Sequence, residues 1–510
     1  LVILGILALA KFFLHLLTNG QYGYHADELY YMAAGDHLAW GYTEFPPMMA
    51  VVIRLSRELF GDSLSAIRLF PALAGAAVVL LTGLITRELG GGHWAQGLAA
   101  LSVIVAPYYL FMQTIATMNA FEPLFWVLTA YLIIVIIKYH RPRLWIGVGL
   151  VVGLGILNKY STVFFGFSLL VGLVITRTCR GRGYGWLGLA ITIAAGLSLP
   201  NVLWQYHHGW PFLEHQAAAN LYDKKPLLQS TINLVLQPVL YMHPLTFPLW
   251  VGGLYFYFQT KAGTPYRFIG WSYGVLFGLF VLLKAKYYYL APIYPLLLAP
   301  GAILVEHWAK HRRPFRIGIV LLLLVSTLPM VPMVLPVLPL PSLLRFSQPY
   351  TPVYTLPNDV SPDFSTVEAP RHYRLMLGWE ELVAQVSRTY YQLPPTERAK
   401  TAILAWDYGA AGAINFFGPN YGLPQVISGA HTFYFWGPRG YTGDWVLSVG
   451  GPIEELHALF DQVEALKPIT YRTSPGIQGT IPLYWCQRIK TPWPAGWPRF
   501  KAYFGRSYPP

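Results

Sequence analysis

Residues 25–47 read HADELYYMAAGDHLAWGYTEFPP, between an apolar segment over 1–17 and another over 64–86. The stretch sets Asp27, Glu28, Asp36 and Glu44 among aromatic residues, in a chain with only 23 acids in 510 residues. An acid-rich aromatic loop between two apolar segments predicts a membrane protein whose chemistry is gathered at one face. The composition agrees: 55% of residues are hydrophobic and 12% charged, where a soluble chain carries about 25% charged residues. Mean hydropathy is +0.42. The net charge of +13 would suggest nucleic acid in a soluble protein. Here many of the basic residues cluster between apolar segments, where they report topology, so nucleic-acid binding is set aside. Cys179 and Cys486 are too few for a disulfide framework. The chain opens with Leu1, so its natural start is expected upstream. Residues 1–17 read as a membrane anchor because no small-residue cleavage site follows.

A hydrocarbon core about 30 Å thick needs roughly 20 apolar helical residues. Candidate spans fall near 1–17, 64–86, 95–112, 120–138, 143–157, 161–176, 185–204, 232–258, 268–283, 287–305 and 316–338. This predicts an α-helical polytopic membrane protein of about eleven transmembrane helices. The segments 143–157 and 161–176 are short and could form one broken unit around Asn158–Ser161. Every second connection is basic: Arg87; Lys138, Arg141 and Arg143; Arg177, Arg180 and Arg182; Lys261 and Arg267; Lys310, Arg312, Arg313 and Arg316. The positive-inside rule puts these in the cytoplasm and the 25–47 stretch outside. Cys179 and Cys486 then lie on opposite faces and cannot pair.

After Pro341 the composition changes. Residues 340–400 are Pro-rich and polar and read as a linker with short helices. From 401 to 490 strand-like runs (TAILAW, DWVLSVGG, IPLYWCQRI) alternate with a helical EELHALFDQV, which predicts a small extracytoplasmic α/β domain over 401–510. Residues 1–339 are the membrane part. No internal repeat is visible, and GxxxxGK[ST], GxGxxG and HExxH are absent, so nucleotide hydrolysis and zincin chemistry have no support.

Within the opening stretch, Asp27 and Glu28 begin an amphipathic helix at the outer surface. A carboxylate among aromatics at a low-dielectric boundary suits a general base, because partial desolvation moves its titration towards neutral pH. The bland reading is a helix cap or a solvating acid. Glu44 later in the loop, Glu122 at the outer end of a span, and Lys284 and Lys286 before Tyr287, Tyr288 and Tyr289 converge on the same side. Charged residues at membrane depth are rare and usually functional. Lys286, Lys284 and Lys159 could together hold a phosphate; lysines snorkelling to the interface are the alternative. Lys11, mid-span with His15 one turn on, hints at a buried ion pair.

These residues resemble a family. The Asp27–Glu28 pair, the Pro46–Pro47 pair, the acid opening the fourth span, GILNKYS at 155–161, NVLWQYHHGWPFLEHQ at 201–216 and KAKYYYLAPIYPLLLAPGA at 284–302 together resemble bacterial dolichyl-phosphate-mannose protein mannosyltransferases. Those are related to the lipid A aminoarabinose transferases within the GT-C superfamily of glycosyltransferases. The resemblance implies a hexosyl- or pentosyltransferase in the bacterial inner membrane. It would take a polyprenyl-phosphate-linked sugar on the non-cytoplasmic face and transfer it with inversion. By position Asp27 corresponds to the acid that deprotonates the acceptor, Glu28 is its neighbour and Glu122 the second acidic position. Lys286, with Tyr287 and Tyr288, corresponds to part of the phosphate site. Asn201 and Gln205 match the pattern at the end of a span and are candidates for substrate contact. In the aminoarabinose transferases a lysine precedes the first proline of the second loop motif, whereas Phe45 stands here after Glu44. An aminoarabinose donor is therefore not implied. The acceptor class stays open between a glycolipid, a protein and a cell-wall glycan.

No cofactor is required by this chemistry. A divalent metal could tie outer loops together through Glu44 and histidines such as His207, His208 and His215, with no diagnostic ligand spacing. The alternative from another class is a multi-pass transporter. Transporters usually show repeats and sites near the bilayer midplane, whereas the polar constellation here is at one face.

Overall fold

The computed structural model describes residues 1–178, 183–222, 226–347, 370–474, 477–493, 495–503 and 506–507. Cys179, Arg180, Arg182 and residues 348–369 of the expected linker lie outside the described residues. Helices of ten or more residues are numbered. They are α1 (Val2–Thr18), α2 (Ala26–Asp36), α3 (Met48–Phe60), α4 (Leu69–Glu88), α5 (His93–Val105), α6 (Met118–Tyr139), α7 (Leu144–Asn158), α8 (Ser161–Ile175), α9 (Gly183–His207), α10 (Pro211–Tyr222), α11 (Leu227–Tyr241), α12 (Phe247–Gln259), α13 (Arg267–Leu282), α14 (Tyr294–Trp308), α15 (Arg313–Thr327), α16 (Trp379–Gln392) and α17 (Tyr408–Phe417).

Every apolar segment read from the sequence contains helix, but not all are single rods. The 95–112 segment breaks at Ala106, which is extended (φ −67°, ψ 118°) before Pro107, as the residue preceding a proline tends to be. The 232–258 segment is two helices, α11 and α12, bent by 99°. His243 at φ 74° and Pro244 end the first and start the second. The short pair α7 and α8 separates at Lys159–Tyr160, α7 packing against α9 and α8 against α13. Among the described residues four helices are long and apolar enough to cross a bilayer alone, and the bent pair could be a fifth. Lys11 is buried, and its hydrogen-bond partner is the Tyr109 carbonyl, 3.2 Å away, not an acid. The fold is thus mostly helical, with a small C-terminal sheet.

That sheet has four strands, β1 (Ala402–Ala405), β2 (Trp445–Val449), β3 (Phe460–Ser474) and β4 (Ile477–Ile489), in the order β1-β2-β4-β3. β1 and β2 are parallel, Ala402 facing Val446 and Ala405 facing Val449, with α17 in the connection between them. β4 is antiparallel to both β2 and β3. The expected helix through EELHALFDQV stops at Leu459, and Phe460 opens the 15-residue β3. As the edge strand it exposes most of its described side chains, so it lacks the alternation that marks a half-buried strand. Its register slips between Leu466 and Ile469, around Pro468, a residue confined to edges and bulges. Cys486 is buried on β4.

The boundary read at 401 falls within a packed unit, because Trp379, Leu382, Val383 and Val386 of α16 join the sheet and α17 in one core. The same core runs on into the 25–47 loop and α3 through Leu29, Tyr30, Phe45, Met49 and Ile53. The acid-rich 25–47 loop is therefore roofed by the C-terminal domain.

Candidate active site

The α2 amino terminus is built by a capping box. His25 is extended, its Nδ1 accepts from the Asp27 amide at 3.1 Å, and Glu28 accepts from the His25 amide at 2.8 Å. These bonds satisfy donors that a helix start leaves open and send the two neighbouring acids in different directions. Glu28 is fully buried. Its Oε1 accepts from Arg68 Nε at 2.8 Å and from the Ala116 amide at 2.9 Å, and its Oε2 from Arg68 Nη2 at 2.7 Å. Burial alone would raise the Glu28 titration, but Arg68 wins and holds it below the ordinary carboxylate value. Arg68 also donates to the carbonyls of Asn19 and Gly23. Glu28 is thus a strut between α2, the start of α4 and the 113–117 turn.

Asp27, by contrast, keeps a side chain 35% exposed. Its Oδ1 accepts from the Tyr408 hydroxyl at 2.9 Å, and Oδ2 lies 3.7 Å from His25 Nδ1. Glu44 is held by two groups: Tyr30 Oη donates to Oε2 at 3.1 Å, and His431 Nδ1 stands 3.4 Å from Oε1. Burial opposes the charge of both partners. Their mutual attraction prevails, leaving Glu44 below and His431 above its ordinary value. The His215 ring is 5.3 Å from that of His431, and burial pulls His215 down to about 4. Among the described residues no group of three or more His, Cys, Asp and Glu side chains forms a cation site.

The facing wall comes from the helical part. Glu122 lies in the second turn of α6 beside Pro123, an interior proline that removes one intrahelical hydrogen bond. One oxygen pairs with Lys159 Nζ at 2.7 Å and the other accepts from the Ser161 hydroxyl. Lys159 is brought there by the break between α7 and α8, where it is extended (φ −157°, ψ 133°). It also donates to Asn119 Oδ1 at 2.8 Å and sits 4.5 Å from the Tyr289 ring and 5.7 Å from that of Tyr288. Lys286 is the exposed N-cap of the 3-10 turn Tyr287–Ile293. Its charge reaches Lys159, Tyr289 and His215, and those of Asp27 and Glu122 reach Tyr288. Asp27, Glu122, Lys159, Lys286 and Tyr288 therefore share one electrostatic neighbourhood.

The other expected contacts are placed differently. Lys284 is exposed at φ 49°. Tyr287 stacks on Tyr241 at 5.0 Å, their hydroxyls 3.2 Å apart. Asn201 donates to the Trp40 carbonyl at 2.8 Å and accepts from Tyr160 at 3.1 Å. Gln205 donates to the Tyr42 carbonyl at 2.9 Å and accepts from the Phe212 amide at 3.1 Å. Both amides tie α9 to the 25–47 loop. Tyr408 and His431 were not read from the sequence, since each meets its acid across most of the chain. The signal that could have found Tyr408 is DYGAAGA at 407–413, a run small enough for close helix contact.

A model of the dolichyl-phosphate-mannose-protein mannosyltransferase family matches residues 44–204. The lipid A galacturonosyltransferase RgtD of Rhizobium johnstonii is 27% identical over 199 residues, 38% of this chain and 40% of that protein. The chain thus matches well under two thirds of that relative's length. Among solved structures, ArnT from Cupriavidus metallidurans in the apo state aligns with a TM-score of 0.56 at 15% identity, over 95% of this chain and 97% of that one. The same protein bound to undecaprenyl phosphate aligns with a TM-score of 0.53 at 14% identity, over the same shares. At such identity the likeness is one of fold. The family resemblance read in the sequence is borne out by the family model, the relative and the fold.

Proposed function

We propose that this chain is an integral-membrane glycosyltransferase that moves a hexosyl or pentosyl unit from a polyprenyl-phosphate donor to an acceptor on the non-cytoplasmic face. The observation that carries the reading is a part-exposed carboxylate, Asp27, together with a buried Glu122–Lys159 pair against the Tyr288 and Tyr289 rings and the exposed Lys286 two residues before Tyr288. The family model, the lipid A galacturonosyltransferase relative and the undecaprenyl phosphate of the ArnT structure support the same chemistry. The relative favours a lipid-borne acceptor over a protein or cell-wall glycan. The apolar helices, the shorter ones included, are read as spans, with 25–47 and the C-terminal domain outside the inner membrane.

In this reading the prenyl chain lies between helices with its phosphate against Lys286 and Lys159. Asp27 takes the acceptor proton as the acceptor oxygen bonds to the anomeric carbon from the face opposite the phosphate. The carbon–oxygen bond to the phosphate breaks, its electron pair leaving with the polyprenyl phosphate, and the sugar is inverted. Because the leaving group is already a phosphate ester, the residues needed are a base and cations for the developing charge. Glu122, with both oxygens occupied, orients Lys159.

The test is a transfer assay on the purified chain with radiolabelled polyprenyl-phosphate sugars and an envelope glycolipid fraction. Asp27→Asn should lower transfer by about 10²–10⁴-fold, the range a general base contributes, while remaining folded. Near-normal transfer by that variant would remove the base assignment, and no transfer by folded wild type from any donor would return weight to the transporter reading.

A further inference from the structure

We propose that Tyr408 is a positioning residue for Asp27, which makes the docked C-terminal domain a constituent of the catalytic site. The inference rests on the reading of Asp27 as the acceptor base. The Tyr408 hydroxyl donates to Asp27 Oδ1 at 2.9 Å across 381 residues of chain. This fixes one carboxylate oxygen and leaves Oδ2 to meet the acceptor.

The contact is built from several independent parts. Tyr408 opens α17, whose N-cap Asp407 accepts from the Gly409 and Ala410 amides at 2.8 and 3.0 Å. α17 lies against α2 so closely that a Cβ on Gly412 would stand 2.9 Å from the Leu29 carbonyl carbon. A Cβ on Gly409 would stand 3.1 Å from that of Ala26 and 2.9 Å from the Trp379 ring. Real Cβ atoms do not approach backbone that closely, so Gly412 sets the helix separation at which the hydroxyl reaches Asp27, and Gly409 leaves room for the Ala26 and Trp379 side chains. Three further bonds fix the register: the Thr432 amide to Tyr30 Oη at 3.0 Å, the Thr43 amide to Thr432 Oγ1 at 3.0 Å, and the Ala26 amide to the Leu375 carbonyl at 2.9 Å.

Tyr408 acts as a neutral donor. The Asp27 charge, and then burial, push its hydroxyl well above the ordinary phenol range, so it does not itself take the acceptor proton. The other titratable groups around Asp27 are His25 and Tyr31 from α2 and its cap, Tyr288 from the helical wall, and Asp407 and His431 from the C-terminal domain. Of these contacts, that of Tyr408 is a direct hydrogen bond to the carboxylate.

Tyr408→Phe in the full chain is the test, read as a pH profile of transfer beside wild type and Asp27→Asn. Loss of a donor disfavours the ionised carboxylate. The acid limb of kcat should therefore move up in pH, and kcat near neutrality should fall about tenfold because the carboxylate loses the hydroxyl that orients it. The donor KM should stay within about twofold, since the phosphate site is untouched. Gly412→Val, which forces α17 off α2, should move the limb in the same direction with Tyr408 intact. A Tyr408→Phe profile that superimposes on wild type, with Asp27→Asn inactive, overturns this inference alone. Near-normal activity in Asp27→Asn overturns the base reading and this inference together.

Discussion

The two sides of the candidate site hold their carboxylates in opposite ways. On the helical wall Glu122 is fully buried, with a cation on one oxygen and a hydroxyl on the other. On the side roofed by the C-terminal domain Asp27 has one neutral donor and remains a third exposed. A carboxylate fully buried against a lysine and a serine is engaged in holding the lysine. A carboxylate oriented by one hydroxyl keeps an oxygen for chemistry. Acidic residues that look alike in sequence are thus separated by the partners their oxygens already have.

The largest effect that could break this comparison is that of Asp27→Asn, which should remove transfer with the fold intact. Glu28→Gln is its counterpart. The side chain differs by one position in sequence but its removal leaves Arg68 charged and buried. Breaking a buried pair in that way costs about 3–5 kcal/mol. Glu28→Gln should therefore lower the unfolding temperature in detergent and the yield of folded protein, where Asp27→Asn changes neither. A Glu28→Gln protein as stable as wild type would show that the Glu28–Arg68 contact does not support the fold.

A smaller loss is expected on the helical wall. Glu122→Gln leaves a shape-matched acceptor but removes the charge that holds Lys159 at 2.7 Å. Charge-assisted hydrogen bonds are worth about 1.5–3 kcal/mol, so kcat/KM should fall by roughly ten- to a hundredfold. With Lys159 assigned to the donor phosphate, the loss should fall mainly on donor KM and leave the pH profile unchanged. A shifted acid limb in Glu122→Gln would make Glu122 a titrating participant and dissolve the contrast with Asp27.

Much of this was legible in the sequence because it is local. Apolar runs mark helices wherever they end, and the acids of 25–47 and the lysines before Tyr287 stand out against a chain poor in charge. The breaks were harder to see. A continuous apolar count runs through His243–Pro244, although the backbone there turns by 99°, because composition records what is buried and not the dihedral angles that one proline and its neighbour impose. The roles of Asn201 and Gln205 were also hidden, since their partners are backbone carbonyls and an amide of other segments that carry no side-chain signature. Tyr408 and His431 are the extreme case. Each is unremarkable in its own segment and acquires a role only when the sheet domain closes on α2.

That closure supplies the smallest and most specific prediction, through Glu44 and His431. His431 sits above its ordinary value although burial pulls it down, because Glu44 and other nearby acids outweigh the burial. A raised histidine contributes stability that is complete below its unfolded value, about 6.5, and is lost as pH rises through the folded one. Glu44 sits below its ordinary value although burial pushes it up, because of His431. A lowered carboxylate contributes fully above its unfolded value, about 4.3, and loses the contribution as pH falls through the folded one. Docking of the C-terminal domain should therefore be firmest between roughly pH 4.3 and 6.5 and loosen above and below. Hydrogen exchange at the Thr432 amide, which is bonded to Tyr30 beside Glu44, reads this directly. Its protection, corrected for intrinsic exchange, should decline as pH rises above neutrality in wild type and be lower and flatter in His431→Ala. Protection that does not change with pH in wild type would mean that the glycine-packed contact between α2 and α17 holds the domain without help from the ion pair. In that case Tyr408 would stay on Asp27 at every pH at which the enzyme is folded.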